Sequence, residues 1–293
     1  MNQSLADKRK IMQTGALIPL LSVLVAMASI QGGASLAKTL FARVSPEGLT
    51  MLRLTFAAMV LLLLFRPWRA RLTRAQAWAM LPYGAALGGM NLLFYLALKR
   101  IPLGVAVAFE FIGPLGLAVW TSRRPRDVLW VALAMAGVWL ISPLASAESG
   151  LDPWGIALAI GAGVCWALYI VFGQRAGKGV PGHVAASWGM LAAALVVAPV
   201  ATSMGGWERV TWGLIPLALV VAVLSSALPY SLEMVALKTM PTATFSILMS
   251  LEPVLAALSG WLFIKEGLSL TQWSAITLIV AASLGSSLTA KRA

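Results

Sequence analysis

Histidine and cysteine are almost absent from this sequence of 293 residues, which contains one of each, His183 and Cys165. A single cysteine excludes a disulfide framework and a cysteine-based metal site. A single histidine excludes a histidine pair as zinc ligands. The chain also has no set of nucleophile and base that would support an intramembrane hydrolase. We therefore expect neither a metal nor another cofactor, and no enzyme activity.

Charged residues are scarce as well. They make up 11% of the chain, against about 25% in soluble domains. Hydrophobic residues reach 60%, and the mean hydropathy is +0.87. The polar residues are too few to cover the surface of a soluble protein, so this composition predicts a multi-pass membrane protein. The net charge of +12 then indicates membrane orientation rather than binding to nucleic acid.

Charged residues divide the chain into apolar segments of the length that a membrane helix needs, about 20 residues. Only helices and closed barrels satisfy every backbone group in lipid. Barrel strands would show short segments of alternating hydrophobicity, whereas these runs are continuously apolar. We therefore predict an all-α membrane protein with ten transmembrane helices, at 11–37, 48–65, 75–98, 101–122, 128–147, 153–174, 184–207, 210–237, 239–264 and 267–290.

Basic residues are distributed unevenly between the connections. If the N-terminus lies in the cytoplasm, the inner segments hold most of the lysines and arginines, including the clusters at 8–10, 66–74 and 123–126. Because cytoplasmic loops carry the excess of positive charge, this distribution predicts that both termini are cytoplasmic.

The two halves of the chain resemble each other at an offset of 139 residues. Residues 95–102 read YLALKRIP and residues 234–241 read MVALKTMP, and the same offset relates Pro114 to Pro253. Five helices per half is an odd number, so the repeats at 11–147 and 153–290 must be inserted with opposite orientation. Inverted repeats are a common construction of secondary transporters, in which a central site opens to each side in turn.

Glycines and prolines fall within four predicted spans, away from their ends. Proline removes a backbone donor and kinks or interrupts a helix, whereas small residues also let membrane helices pack closely. Because these breaks occur in spans 3, 4, 8 and 9, we predict hinges around a central site, with packing as the alternative. The predicted hinge residues are Gly88, Gly89, Gly113, Pro114, Pro229 and Pro253.

Three longer segments carry a resemblance to a known family. They are 28–38 (ASIQGGASLAK), 88–115 (GGMNLLFYLALKRIPLGVAVAFEFIGPL) and 227–260 (ALPYSLEMVALKTMPTATFSILMSLEPVLAALSG). These segments are similar to the threonine/homoserine exporters of the EamA-type branch of the drug/metabolite transporter superfamily. The resemblance implies a central cavity lined mainly by spans 1, 3, 4, 6, 8 and 9. It also implies export of small amino acids through the bacterial inner membrane.

Charged residues at membrane depth are candidate substrate-binding or coupling residues, because a charge at the bilayer centre costs about 2.5–3.5 kcal/mol. Glu110 lies mid-span 4 and Glu252 mid-span 9. Either can hold the amino group of a substrate or carry a proton, with helix packing as the alternative. For Glu233, near the inner end of span 8, snorkelling or an ion pair with a nearby lysine is the expected role, with substrate binding or coupling as the alternative. Lys38 and Arg53 near the outer ends of spans 1 and 2 are expected to snorkel, with contact to a substrate carboxylate as the alternative.

Uncharged polar and aromatic residues in the implied cavity spans complete the candidate set. A buried amide or hydroxyl group must form a hydrogen bond, either with a substrate or with another helix. Tryptophan and tyrosine can line a site or pack in the interior. These candidates are Gln31, Asn91, Tyr95, Trp166, Tyr169, Tyr230 and Ser250.

The leading interpretation is an exporter of small amino acids that works by alternating access, either coupled to protons or uncoupled. A second interpretation is efflux of cationic or aromatic toxic compounds, since a buried glutamate beside Trp and Tyr suits a lipophilic cation. A membrane scaffold is a third, but it leaves the buried glutamates unexplained. The expected partners are a small molecule and the lipid bilayer, and a monomer is compatible with the pattern.

Overall fold

The computed structural model describes residues 18–30, 32–33, 36–37, 40, 43–101, 103–121, 125–141, 152–208, 210–252, 254–255 and 269–289. Within these ranges every regular element is helical and no strand occurs, which confirms the all-α prediction. In chain order the helices are α1 (Ile18–Ile30), α2 (Pro46–Phe65), α3 (Arg74–Leu98), α4 (Leu103–Thr121), α5 (Pro125–Ile141), α6 (Pro153–Ala176), α7 (Gly182–Ser203), α8 (Trp212–Thr239), α9 (Thr242–Met249) and α10 (Leu270–Thr289).

Five of the described helices, α2, α3, α6, α7 and α8, are long and apolar enough to cross a membrane. Shorter apolar stretches occur at Ile18–Ile30, Phe109–Thr121 and Leu270–Ser286. Large apolar side chains such as Leu63, Trp120 and Trp212 lie exposed on the surface. Such a surface suits contact with lipid rather than water. The fold is therefore that of a multi-pass helical membrane protein.

Local sequence determines where several helices begin. The side chain of Ser45 accepts a hydrogen bond of 3.2 Å from the backbone N–H of Gly48 at the start of α2. Thr73 and Gln76 form a reciprocal capping box at the start of α3. Asp152 accepts from a backbone N–H in the first turn of α6. Each cap satisfies backbone donors that have no partner within the helix.

Helix α3 lies at the centre of the structure, where it packs against α6 and α7. Helix α2 also packs on α7, α4 packs on α6 and α9, and α5 packs on α10. Small residues allow these close approaches. A methyl group on Gly113 of α4 would overlap the backbone of Gly163 in α6, and one on Gly84 of α3 would overlap the backbone of Gly189 in α7.

No interruption of the helix occurs at the first four predicted hinge positions. Helix α3 continues through Gly88 and Gly89, and α4 continues through Gly113 and Pro114. The glycines instead permit close packing in this conformation, because Gly88 faces the backbone of α7 and Gly113 faces α6. Pro253 lies outside the described residues. A hinge role for these residues stays a prediction.

Helix α8 departs from α geometry directly before Pro229. Val223–Ala227 forms a π-helical turn. Proline has no N–H to donate and its ring clashes with the preceding turn, and a wider turn accommodates both constraints. The carbonyl of Leu224 within this turn accepts a hydrogen bond of 2.6 Å from the hydroxyl of Ser29. The π turn therefore also joins α8 to α1.

Candidate functional site

Six polar side chains from four helices meet in the interior and form what we call the central polar cluster. Arg53 comes from α2, Asn91 and Tyr95 from α3, Tyr169 from α6, and Tyr230 and Glu233 from α8. Each of them is at most 7% exposed. All six are candidates from the sequence, so the structure brings half of the twelve predicted binding or coupling residues into one cluster.

The side chain of Arg53 is buried in the protein interior. One guanidinium nitrogen donates a hydrogen bond of 2.9 Å to the hydroxyl of Tyr95, and another donates to the amide oxygen of Asn91. The expectation that Arg53 snorkels is therefore wrong. Helix α2 is covered by α7, α3 and α8, and the partners on α3 hold the guanidinium in place.

Asn91 and Tyr230 join α3 to α8. The amide nitrogen of Asn91 donates to the Tyr230 hydroxyl at 3.0 Å and to the backbone carbonyl of Leu87 at 2.8 Å. The ring of Tyr230 meets the ring of Tyr169 edge to face, with centroids 5.8 Å apart. Asn91 is consequently bonded on both sides, to the arginine through its oxygen and to the tyrosine through its nitrogen.

Glu233 is 1% exposed. Its Oε2 accepts a hydrogen bond of 2.8 Å from the Tyr169 hydroxyl, while its buried Oε1 has no hydrogen-bond partner among the described residues. The nearby lysine, Lys238, instead donates to the carbonyl of Val180 at 2.5 Å. Both expected roles of Glu233, snorkelling and an ion pair with that lysine, are therefore wrong.

Glu110 and Glu252 are the two acidic candidates outside the central polar cluster. Glu110 is buried on α4, and its neighbour Phe111 meets Trp166 of α6 edge to face at 4.8 Å. Glu252 is half-buried and helical. It interacts electrostatically with both Glu110 and Glu233. The acidic residues Glu110 on α4 and Glu233 on α8 are therefore each within electrostatic range of Glu252.

The remaining candidates lie apart from the cluster or outside the described residues. Ser250 is fully buried, but its hydroxyl donates to the carbonyl of Ile247 in its own turn at 2.5 Å. This local bond accounts for its burial. Gln31 and Lys38 lie outside the described residues.

Sequence reasoning missed Tyr83, which is fully buried and stacks on Tyr169 with centroids 5.4 Å apart. A signal for it existed. The chain contains 4 tyrosines, and all of them are buried in α3, α6 or α8. Because membrane proteins usually place tyrosine at the interface, mid-span tyrosines on these helices indicate an interior site.

Two ion pairs at the end of α3 were also missed. Lys99 pairs with Glu47 at the start of α2, and Arg100 pairs with Asp152 at the start of α6 at 2.8 Å. The hydrogen bond from Arg100 holds the pKa of the Asp152 carboxyl below its usual range. The consecutive basic residues therefore tie the end of α3 to two neighbouring helices.

Comparison with known proteins gives relatives that span almost the whole chain. Residues 153–288 match the EamA-like transporter family. The threonine/homoserine exporter RhtA of Escherichia coli (strain K12) is 51% identical over 94% of this chain and 93% of its own length. RhtA of Salmonella typhimurium (strain LT2) is 50% identical with the same coverage. An uncharacterized transporter, YwfM of Bacillus subtilis (strain 168), is 28% identical over 80% of this chain and 84% of its own length.

A solved crystal structure also resembles this fold. It superposes with a TM-score of 0.75 and covers 94% of this chain and 97% of its own, at 22% sequence identity. The arrangement of helices described above is therefore a known fold over nearly its whole length.

Proposed function

Because this chain belongs to the EamA-like transporter family, we propose that it exports small amino acids of the threonine and homoserine type from the cytoplasm. It is a transporter rather than an enzyme. The observation that carries this proposal is the 51% identity, over 94% of the chain, to an Escherichia coli protein named for that activity. The protein works in the inner membrane as a multi-pass transporter.

The central polar cluster is the proposed substrate site. Charged side chains within membrane helices are costly and usually face a functional pathway, and this cluster contains an arginine and a glutamate that are both buried. Glu110 and Glu252, which interact electrostatically with each other, are the proposed coupling residues if transport is driven by protons. Export down the cytoplasmic concentration gradient needs no coupling ion.

The proposed architecture is ten helices in two inverted repeats, 11–147 and 153–290, with both termini in the cytoplasm. Three contacts support it, because α2 packs on α7, α4 on α9 and α5 on α10, and each pair occupies equivalent positions in the two halves. Asn91 and Tyr230 provide a sharper argument. They lie 139 residues apart, which equals the sequence offset of the repeat, and a residue near a two-fold axis meets its own equivalent.

Alternating access requires the two repeats to move relative to each other around the site. The π turn before Pro229 is the described feature that best suits such a movement, since π turns interrupt the regular hydrogen bonding of a helix. The predicted hinges at Gly88, Gly89, Gly113, Pro114 and Pro253 belong to the same proposal.

Uptake of labelled threonine into proteoliposomes of the purified protein tests this function. We expect uptake above that of protein-free liposomes, with competition by unlabelled homoserine. Competition by a lipophilic aromatic cation, with no effect of homoserine, would favour the toxic-compound alternative. An imposed pH gradient tests coupling, because we expect acceleration in the wild type that is lost in a Glu110→Gln variant.

A further inference from the structure

We propose that Arg53 binds the carboxylate and Glu233 the ammonium group of a zwitterionic α-amino acid, so that the protein selects substrates by their main-chain charges. This inference rests on the proposed function and assigns roles within the central polar cluster. It follows from three observations, namely the partners of Arg53, the partners of Glu233 and the connection between them.

Arg53 is a buried cation whose described partners are all neutral. It donates to a tyrosine hydroxyl and an amide oxygen, and its Nε is buried without a partner among the described residues. Within the described ranges the two ion pairs involve other residues. An uncompensated buried charge is unfavourable. A guanidinium group binds a carboxylate through paired hydrogen bonds, so a substrate carboxylate supplies the missing counter-charge.

Glu233 presents the complementary arrangement. One carboxyl oxygen accepts from Tyr169, and the other is buried without a described partner. A carboxylate in this position accepts a hydrogen bond from an ammonium group, which carries three donors. Tyr169 holds the first oxygen, so the second is the one available to a substrate.

Arg53 and Glu233 lie at the two ends of a chain of polar contacts between helices. Arg53 donates to Asn91, and Asn91 donates to Tyr230. Tyr230 lies one helical turn before Glu233 on α8, and its ring contacts the tyrosine that bonds Glu233. The chain contains one amide, Asn91, and two phenols, Tyr230 and Tyr169. In the proposed site, the carboxylate of an amino acid is a partner for Arg53 and its ammonium group is a partner for Glu233.

This arrangement explains how one site can accept both threonine and homoserine. The two amino acids carry the same main-chain charges but have their hydroxyl groups on different carbons. A buried site rejects a ligand that leaves one of its polar groups unpaired. We therefore expect strict selection for both main-chain charges and loose selection for the side chain.

Competition against labelled threonine uptake by two analogues tests the assignment. Threoninol lacks the carboxylate, and 3-hydroxybutyrate lacks the ammonium group. In the wild type we expect each analogue to compete at least about tenfold more weakly than threonine, the loss typical of a charge-assisted hydrogen bond. An analogue that competes as well as threonine contradicts the proposal without any variant.

Two variants separate the roles of the charges. In Arg53→Gln we expect threonine to bind at least about tenfold more weakly while threoninol is unchanged, so that discrimination between them disappears. In Glu233→Gln we expect the same loss of discrimination against 3-hydroxybutyrate, with discrimination against threoninol retained. A structural defect would weaken the binding of all three ligands together. The affinity of threonine relative to threoninol, and relative to 3-hydroxybutyrate, would then stay unchanged.

Matched controls are Arg43→Gln and Glu208→Gln, which remove exposed charges of the same type outside the cluster. Size-exclusion chromatography and unfolding temperature in detergent verify that each variant folds. If the folded variants discriminate between threonine and each analogue as well as the wild type does, the proposal is overturned. If Glu252→Gln loses discrimination against 3-hydroxybutyrate and Glu233→Gln does not, the role of Glu233 is overturned. Absence of threonine uptake by the wild type refutes the proposed function itself, which is a distinct result.

Discussion

Replacement of Gly113 by alanine tests the close approach of α4 and α6 that positions Glu110. A methyl group at this position would overlap the carbonyl carbon and oxygen of Gly163. Carbon atoms in contact are normally about 3.5–4.0 Å apart, so the helices must separate by roughly 1–2 Å. The obstacle is backbone, which cannot rotate away as a side chain can.

The expected cost follows from opposing effects. Overpacking of a well-packed interior costs about 1–3 kcal/mol, and a backbone clash lies at the upper end of that range. The higher helix propensity of alanine raises the free energy of unfolding by about 0.5–1 kcal/mol and so offsets part of this cost. We therefore expect Gly113→Ala to reduce the free energy of unfolding by about 2 kcal/mol, from these two terms. Transport should also fall, because Gly163 packs against the backbone of Glu110.

Gly116 on the same helix provides the matched control, because a methyl group there meets no atom within 4 Å. We expect Gly116→Ala to be neutral or slightly stabilising. Denaturant unfolding in mixed micelles, followed by circular dichroism, measures both variants. Equal stabilities for the two variants would refute the described packing of α4 on α6.

Three further substitutions test other contacts by the same unfolding measurement and by threonine uptake. Tyr169→Phe leaves Glu233 without its described partner and should cost about 1–3 kcal/mol of stability; an unchanged unfolding curve would contradict that hydrogen bond. Lys99→Met leaves the buried carboxylate of Glu47 unpaired and should cost a similar amount, about 1–3 kcal/mol, most of which a second substitution, Glu47→Gln, should restore. Asn91→Leu removes the bridge between α3 and α8 and should reduce threonine uptake at least about tenfold, and wild-type uptake would show that the bridge is dispensable.

Hydropathy was sufficient to predict the helical membrane fold, and the cavity spans implied by the family resemblance then indicated several interior polar residues. In lipid, an apolar run of membrane length can satisfy its backbone hydrogen bonds only as a helix or as part of a closed barrel. Because the runs are continuously apolar rather than alternating, they predict helices. Asn91 and Tyr230 lie mid-span, where a polar group must find a partner. Their burial was therefore predictable, although the partner of each was not.

Arg53 and Glu233 show what a linear sequence leaves undetermined. Distance from the end of a span estimates the depth of a residue in the membrane, but it does not say which side of the helix faces the interior. Both residues lie on buried faces, and Glu233 follows the π turn that changes the rotation of α8. The pairing of Lys99 with Glu47 likewise depends on which helix ends meet in space.

Glycines illustrate a second limit. Gly88 and Gly113 were predicted as hinges because glycines and prolines recur in spans 3, 4, 8 and 9, yet both lie within continuous helices. Glycine in a membrane helix serves close packing as well as bending, and only the position of the neighbouring backbone separates the two. That position depends on contacts between residues far apart in the chain.

The most direct test of amino-acid transport by this protein is counterflow of labelled threonine. Proteoliposomes are loaded with unlabelled threonine and diluted into a trace of labelled threonine, which requires neither a coupling ion nor a uniform orientation of the protein. We predict transient accumulation of label above equilibrium, suppressed by homoserine in the external medium. Label entering no faster than into protein-free liposomes, with the protein demonstrably folded, would contradict the proposed function.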